Sequence, residues 1–425
     1  MAIMAGIIFV MMYMVIVSEK VHRTVAAMLG AVAMLLTGIM TQEQALQHVD
    51  FNTLGLLIGM MLIVAVTSRT GVFHYIAVLA AKQAKAEPVR ILIYLAFITA
   101  VFSAFLDNVT TVLLMGPVTF EITKKLHVDP LPYLLVQIMA SNIGGTATLI
   151  GDPPNIMIGS AVKELTFAAF IENLTVIAAI DLVAVVFIFA LLYRRQLRTK
   201  PELQAAILQM DARKELKDIP LLRKCLLVLG VVVGCFFSHS VTGIESSLAA
   251  LAGAFVLLLI ASRKPSFVET IMDKVEWTTI FFFIGLFVAV GGLVETGIIR
   301  QMALKAMELT GGDLTQTSLL VLWLSAIISS FLDNIPFVAT MIPLIQDMGN
   351  MGVSNLEPVW WCLSLGACLG GNGTIVGASA NIIVAGMAAE HGRPISFKRY
   401  FMTGFPLMLL TIFLSMIYVY LRYLM

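Results

Sequence analysis

Ser103-Ala-Phe-Leu-Asp-Asn-Val109 returns later in the chain as Ser329-Ser-Phe-Leu-Asp-Asn-Ile335. A second pair keeps the same spacing. Gly144-Gly-Thr-Ala-Thr-Leu-Ile-Gly-Asp-Pro-Pro-Asn155 is matched more loosely by Gly370-Gly-Asn-Gly-Thr-Ile-Val-Gly-Ala-Ser-Ala-Asn381. The offset is 226 residues for Asp107 and Asp333 (333 − 107), for Thr148 and Thr374, and for Asn155 and Asn381. It also holds for Pro117 with Pro343, Gly59 with Gly285, and Gly71 with Gly297. A constant, gap-free offset over that distance is an internal duplication. Polar, Gly- and Pro-interrupted apolar segments at matching positions of two halves point to the binding site of a membrane transporter.

The rest of the composition agrees with a membrane chain. It is 59% hydrophobic and 12% charged, with a mean hydropathy of +0.95, and apolar runs of bilayer-crossing length recur throughout. A net charge of +1 gives no basis for nucleic-acid binding. The first apolar run, Ile3 to Val17, lacks a preceding basic flank and a following small-residue cleavage site, so it reads as a retained span. Cys225, Cys235, Cys362 and Cys368 lie in apolar segments without a CxxC pair, which disfavours a disulfide framework or a zinc site and leaves small buried hydrophobes as the plainer reading. No nucleotide-binding loop, cofactor motif or enzymatic constellation is evident, so ATP coupling would need a separate ATPase subunit.

The expected fold is an all-α polytopic membrane protein of two inverted repeats, each with five spans, a re-entrant helical hairpin and a broken helix. The first repeat covers 1–193, with its hairpin at 91–122 and broken helix at 132–163. A linker follows at 194–224. The second repeat covers 225–425, with its hairpin at 317–347 and broken helix at 358–388. Hairpin arms of about sixteen residues rise about 24 Å, short of a hydrocarbon core of about 30 Å, so the tips are expected near mid-membrane.

An odd number of crossings per half inverts the second copy. The Lys and Arg clusters at Lys20/Arg23, Arg69 to Arg90, Lys124/Lys125, the linker, Arg263/Lys264/Lys274 and Arg393/Lys398/Arg399 then share one side, cytoplasmic by the positive-inside rule. Arg300 and Lys305 break the pattern. Both termini come out non-cytoplasmic, and the first hairpin opens from the cytoplasm. The linker, with nine basic and four acidic residues, reads as a solvated connector carrying an amphipathic helix.

Backbone without helical partners is tolerated at membrane depth only where it lines a polar cavity or is buried in protein. The tips and breaks offer such a lining. It comprises Asp107, Asn108, Thr110, Ser141, Asn142, Thr146, Thr148 and Asn155 from the first copy, with Asp333, Asn334, Asn372, Thr374, Ser379 and Asn381 from the second. An intramembrane carboxylate is a functional hypothesis by default. For Asp107 and Asp333 the plainer alternative is capping the second hairpin arm, and the two roles are compatible. Asp107 and Asp333 are the leading candidates to carry a coupled proton. Asp181, alone in its span, is a third, weighed against a satisfied polar contact. Asp152 has no counterpart, because Ala378 stands there. No Lys or Arg occurs in either tip or break. A site with two carboxylates and no cation repels multiply charged anions and suits a cation or a neutral polyol-like solute such as As(OH)3 or Sb(OH)3.

Phe105-Leu-Asp-Asn-Val-Thr-Thr111 and Asn142-Ile-Gly-Gly-Thr-Ala-Thr-Leu-Ile-Gly-Asp-Pro-Pro-Asn155 resemble the ion transporter superfamily, in the group of arsenite permeases, NhaD-type Na+/H+ antiporters and the melanosomal P protein. The resemblance spans essentially the whole chain. It implies a fixed scaffold, a mobile part built from hairpins and broken helices, and elevator-like alternating access. It places binding elements on Asp107, Asn108, Thr110, Thr146, Thr148, Asn155, Asp333, Asn334, Thr374 and Asn381. Relatives that carry dicarboxylates or citrate usually show Ser-Asn-Thr at the tips, where this chain has Asp-Asn-Val and Asp-Asn-Ile. The leading expectation is a proton-coupled efflux antiporter for arsenite and antimonite in the inner membrane of a prokaryote. Na+/H+ antiport is the alternative within the group, an ion channel the alternative outside it, and a homodimer is an assembly the resemblance allows.

Overall fold

The computed structural model describes residues 1–425 except Glu19, Arg263, Ser354 and the side chain of Ser240, so the basic position expected at Arg263 lies outside the described residues. Among the described residues every regular element is helical. The first half runs α1 (Ala2–Val17), α2 (Arg23–Leu36), α3 (Gln42–His48), α4 (Phe51–Ser68), α5 (Val72–Gln83), α6 (Pro88–Phe105), α7 (Asn108–Leu126), α8 (Leu131–Thr146), α9 (Pro153–Ala161) and α10 (Phe167–Tyr193). The linker carries α11 (Pro201–Leu208) and a 3-10 turn at Ala212–Glu215. The second half runs α12 (Ile219–Thr242), α13 (Ser246–Ala261), α14 (Pro265–Met272), α15 (Trp277–Glu295), α16 (Ile298–Thr310), α17 (Leu314–Phe331), α18 (Asn334–Asn350), α19 (Glu357–Gly370), α20 (Ser379–Glu390) and α21 (Phe397–Val419). A 226-residue shift carries each helix from α1 to α10 onto its partner from α12 to α21; α6 lands on α17 at both ends.

Among the described residues, seven helices are long and apolar enough to cross a bilayer, namely α4, α6, α10, α12, α15, α17 and α21 with its terminal turn, while α1, α2 and α13 are shorter apolar helices. Several expected boundaries shift. The first helix of the second repeat, expected to begin at 225, starts at Ile219, inside the expected linker, because Asp218 caps it and Pro220 occupies its first turn. The hairpin arms are longer than sixteen residues: α6 has 18 and α7 has 19. At 1.5 Å per residue α6 alone rises about 27 Å, so arm length does not make this element re-entrant.

The chain does reverse within it. Leu106 and Asp107 are extended, which ends α6 and lets Asp107 cap α7. The Tyr133 hydroxyl donates to the Pro88 carbonyl at 2.9 Å, and Ser103 Oγ donates to the Ser141 carbonyl at 2.6 Å. Helices α6 and α8 therefore run side by side in one direction, and α7 runs antiparallel to both, back to the face where α6 began. The linker closes that face, since Thr199 bonds the Leu126 carbonyl and Lys82 the Met210 carbonyl. The second hairpin opens the other way. Gln346 near the end of α18 reaches the Ala161 carbonyl at the far end of α9, while His391 beyond α20 stacks on Phe120 near the linker end of α7.

Small residues let the remaining helices approach closely. α4 packs on α13 and α15 on α2. A β-carbon on Gly59 would lie 2.6 Å from the Ala250 carbonyl carbon, and one on Gly285 would lie 2.7 Å from that of Ala27. Lipid supplies no hydrophobic drive between helices, so this close packing carries their association. Both obstacles are backbone and cannot rotate away. Gly59→Val and Gly285→Val should each destabilise the protein by about 1–3 kcal/mol, read as a fall in Tm in detergent. An unchanged Tm would mean that the helix pairs have slack.

Candidate ion-binding site

The two tips and the two breaks meet at the centre of the protein. Asp107 caps α7: its Oδ1 accepts the Thr110 N–H at 2.8 Å and its Oδ2 accepts the Thr110 hydroxyl at 2.5 Å. Asp333 caps α18, with Oδ1 accepting the Ile335 N–H at 3.1 Å. Capping is thus part of what both aspartates do. Beside them, Asn108 donates to Asn142 Oδ1 at 3.1 Å, and Asn142 donates to Asn372 Oδ1 and Asn381 Oδ1, each at 3.0 Å. This asparagine chain crosses from one half to the other.

The breaks are pinned by the side chains that the duplication repeats. Asn155 donates to the Thr146 and Thr148 carbonyls at 3.1 and 2.9 Å, and Asn381 donates to the Gly371 and Thr374 carbonyls at 2.7 and 2.9 Å. Thr148 and Thr374 bond the Ala104 and Ser330 carbonyls at the ends of α6 and α17. These are backbone groups the unwound segments would otherwise leave unpaired. Ser141 and Thr146 turn their hydroxyls back to the carbonyls of Ile138 and Asn142. The expected lining therefore divides. Asp107, Asn108, Asn142, Asp333, Asn334, Asn372 and Ser379 present side chains at the junction, whereas Ser141, Thr146, Thr148, Asn155, Thr374 and Asn381 hold its walls. Thr110 serves Asp107.

Three residues outside that expected set complete the site. A small cavity of about 20 Å3 is lined by Asp107, Asn108, Asn334, Asp152, Glu276 and Arg23 among others. Asp152 is 1% exposed and stands at the N-cap position of α9 without capping it. Pro153 and Pro154 follow and supply no N–H, and the first free amide of the helix, Asn155 N–H, bonds the Asp152 backbone carbonyl at 3.0 Å and not its carboxylate. Asp152 Oδ1 has one long contact, 3.5 Å from Asn108 Nδ2, and Oδ2 has no partner among the described residues. Asn334 Nδ2 and Asn372 Nδ2 are likewise buried and unpartnered. Gly-Asp-Pro-Pro was the available signal: two prolines after the aspartate remove two of the first three amides that a capping carboxylate could take.

Arg23 and Glu276 come from the ends of α2 and α15, and they correct the expectation of a site without a cation. Arg23 Nη1 lies 2.6 Å from Asp333 Oδ2 and 2.5 Å from Ser379 Oγ, with its guanidinium 5.0 Å from the Phe282 ring centre. Glu276 Oε2 accepts the Thr279 hydroxyl at 3.0 Å. Its repeat partner Asp50 accepts the Thr53 hydroxyl at 2.5 Å at the start of α4 and also takes Ser160 Oγ at 2.8 Å. Cys368, expected to be inert packing, donates its thiol toward Asn155 Oδ1 at 3.5 Å. It occupies the second-half position equivalent to Asn142. Asp181 is placed elsewhere. It is fully buried between α10 and α21, with Ser415 Oγ at 3.4 Å and Oδ1 unpartnered.

Three carboxylates, Asp107, Asp152 and Glu276, and the Arg23 guanidinium line a space for about one water, and Asp333 already pairs with that guanidinium, so the pocket is negative and oxygen-rich. Residues 13–366 match the family described as CitMHS, citrate transporter. The chain belongs to this citrate transporter family of the ion transporter superfamily. Two uncharacterized transporters of Mycobacterium tuberculosis are 40% and 41% identical over 429 residues, covering 100% of this chain and 99% of each relative. The human P protein is 35% identical over 499 residues, covering 98% of this chain and 59% of the P protein. The YdaH transporter of Alcanivorax borkumensis shares the fold, with a TM-score of 0.59 at 15% identity over 91% of this chain and 88% of that one. The protein is a polytopic membrane transporter.

Proposed function

We propose that this transporter exchanges a small monovalent cation, best represented by Na+, for protons, in the inner membrane of a prokaryote. The observation that carries this reading is Asp152, a buried carboxylate oxygen left uncommitted between Asp107 and Asn334 in a cavity of about 20 Å3. Carboxylate and amide oxygens suit a hard cation. A proton and a cation compete for the same oxygen, so mutually exclusive occupancy of Asp152 gives antiport without further parts. Asp107 and Asp333, tied to Thr110 and Arg23, then shape the field around it rather than carry the proton themselves.

The pocket disfavours the other cargoes. Citrate, named in the family description, is a trianion that would face three lining carboxylates and one guanidinium already paired to Asp333. Arsenite and antimonite, the leading expectation from the motifs, are neutral but have four heavy atoms in room for about one water. The opposed hairpins support alternating access, with α6–α9 and α17–α20 moving against α1, α2, α4, α12, α13 and α15. The linker face is read as cytoplasmic, with both termini on the other side.

The test is the purified full-length protein in liposomes holding a pH-sensitive dye, with an imposed proton gradient. Adding NaCl outside should dissipate the gradient with saturation. Citrate and arsenite should neither dissipate it nor accumulate. Gradient-driven uptake of either, with no response to Na+, would replace cation exchange by that transport. Conductive flux that never saturates would make the protein a channel.

A further inference from the structure

Arg23 is the one cation lining the cavity among the described residues, and it is contributed from outside the tips and breaks. It stands on α2, which packs against α1 and α15, whereas Asp333 sits at the α17–α18 tip, packed against α19. The 2.6 Å ion pair, with side chains 27% and 13% exposed, therefore bridges the two groups of helices that must part if the site is to move. The guanidinium also occupies the carboxylate oxygen a cation would seek, and Ser379 Oγ shares the same nitrogen.

The duplication makes this pair one-sided. The position equivalent to Arg23 is Ala249, and the one equivalent to Asp333 is Asp107, whose oxygens are occupied by Thr110 rather than by a cation. A repeat-swapped arrangement, with the site presented to the opposite end of the fixed helices, would set Asp107 before Ala249. It has no ion pair to make there.

We infer that Arg23 is a tethered counter-cation: it competes with the transported cation for Asp333, and it holds the unloaded site against the α2 end of the scaffold. This rests on the cation reading of the site. Cargo entering beside Asp152 brings a second positive charge near Asp333, weakens the hold of Arg23, and so links occupancy to release of the moving helices. In the opposite arrangement no such hold exists. The unloaded carrier therefore rests with its site at the linker end.

Two measurements on the full-length protein decide this. In liposomes, Arg23→Gln should lower the half-saturating Na+ concentration for proton exchange by roughly tenfold, the effect of removing a competing charge worth about one decade of affinity. Arg23→Lys, which can make the same single-nitrogen contact, should stay near wild type. An unchanged half-saturation in the Gln variant, or a Lys variant that behaves like Gln, overturns the competition. The second measurement needs no cargo. In sodium-free choline buffer, amide hydrogen exchange across 331–336 should rise in Arg23→Gln and in Asp333→Asn, with no further rise in the double variant. Unchanged exchange overturns the tether. If wild-type vesicles move no protons when Na+ is added, the cation reading fails, and the exchange experiment still decides whether Arg23 holds the tip.

Discussion

Asp152→Asn should abolish cation-driven proton exchange while leaving the protein folded and inserted. The substitution is nearly isosteric, and the carboxylate makes one long hydrogen bond, from Asn108 at 3.5 Å. Little packing is therefore at stake, and the Tm should stay close to wild type. The chemistry loses its essential element, because an amide neither titrates nor balances a cation buried in protein. We expect the exchange rate to fall roughly a hundredfold or more, beyond the 10–100-fold typical of removing a partner in the outer shell of an ion site. Full exchange in Asp152→Asn would move the coupling to another carboxylate, with Asp181 next in line because its Oδ1 is also buried and unpartnered.

Asp107→Asn and Asp333→Asn should both abolish coupled exchange, but with different structural consequences. In Asp107→Asn the amide oxygen can still accept the Thr110 N–H, so the cap of α7 survives in part and stability changes by about 0.5–1 kcal/mol. In Asp333→Asn, Arg23 is left without its anion in a half-buried position. Removing one partner of a fully buried pair costs about 3–5 kcal/mol. Here 27% of the Arg23 side chain still reaches solvent, so about 1–3 kcal/mol is the appropriate scale. The contrast is measured as two Tm values beside two transport assays. Loss of stability without loss of exchange in Asp333→Asn would assign that residue to architecture alone.

The duplication also restricts where sequence comparison between the halves can be trusted. Both tips keep Asp-Asn, and both breaks keep the asparagine that pins them, Asn155 and Asn381. The residues that differ between copies are the ones that make the site unique: Asp152 against Ala378, Asn142 against Cys368, and Arg23 against Ala249. Shared positions hold the backbone in its unwound form, which both halves need. A single pocket at the meeting point needs only one set of uncommitted oxygens, and the copies are free to diverge there.

Much of the architecture was legible because a bilayer penalises polar groups and irregular backbone so heavily. Glycine, proline, Asp and Asn inside apolar runs have few reasons to be there, so the tips at Asp107 and Asp333 and the breaks after Thr146 and Gly370 stand out from composition and spacing alone. The 226-residue offset then supplies the pairing of the helices. What no local pattern discloses is which ends of distant helices close the pocket. Arg23 lies 310 residues from Asp333 in the chain, and at the start of an apolar span it reads as one more cytoplasmic charge. Glu276 reads as an ordinary residue before a helix. Their place beside the tips depends on α2 packing against α15 through Gly285 and on where the tips sit along those helices. Local sequence records the cost of burying a polar group in lipid; the partner that offsets the cost is supplied by packing between segments far apart in the chain.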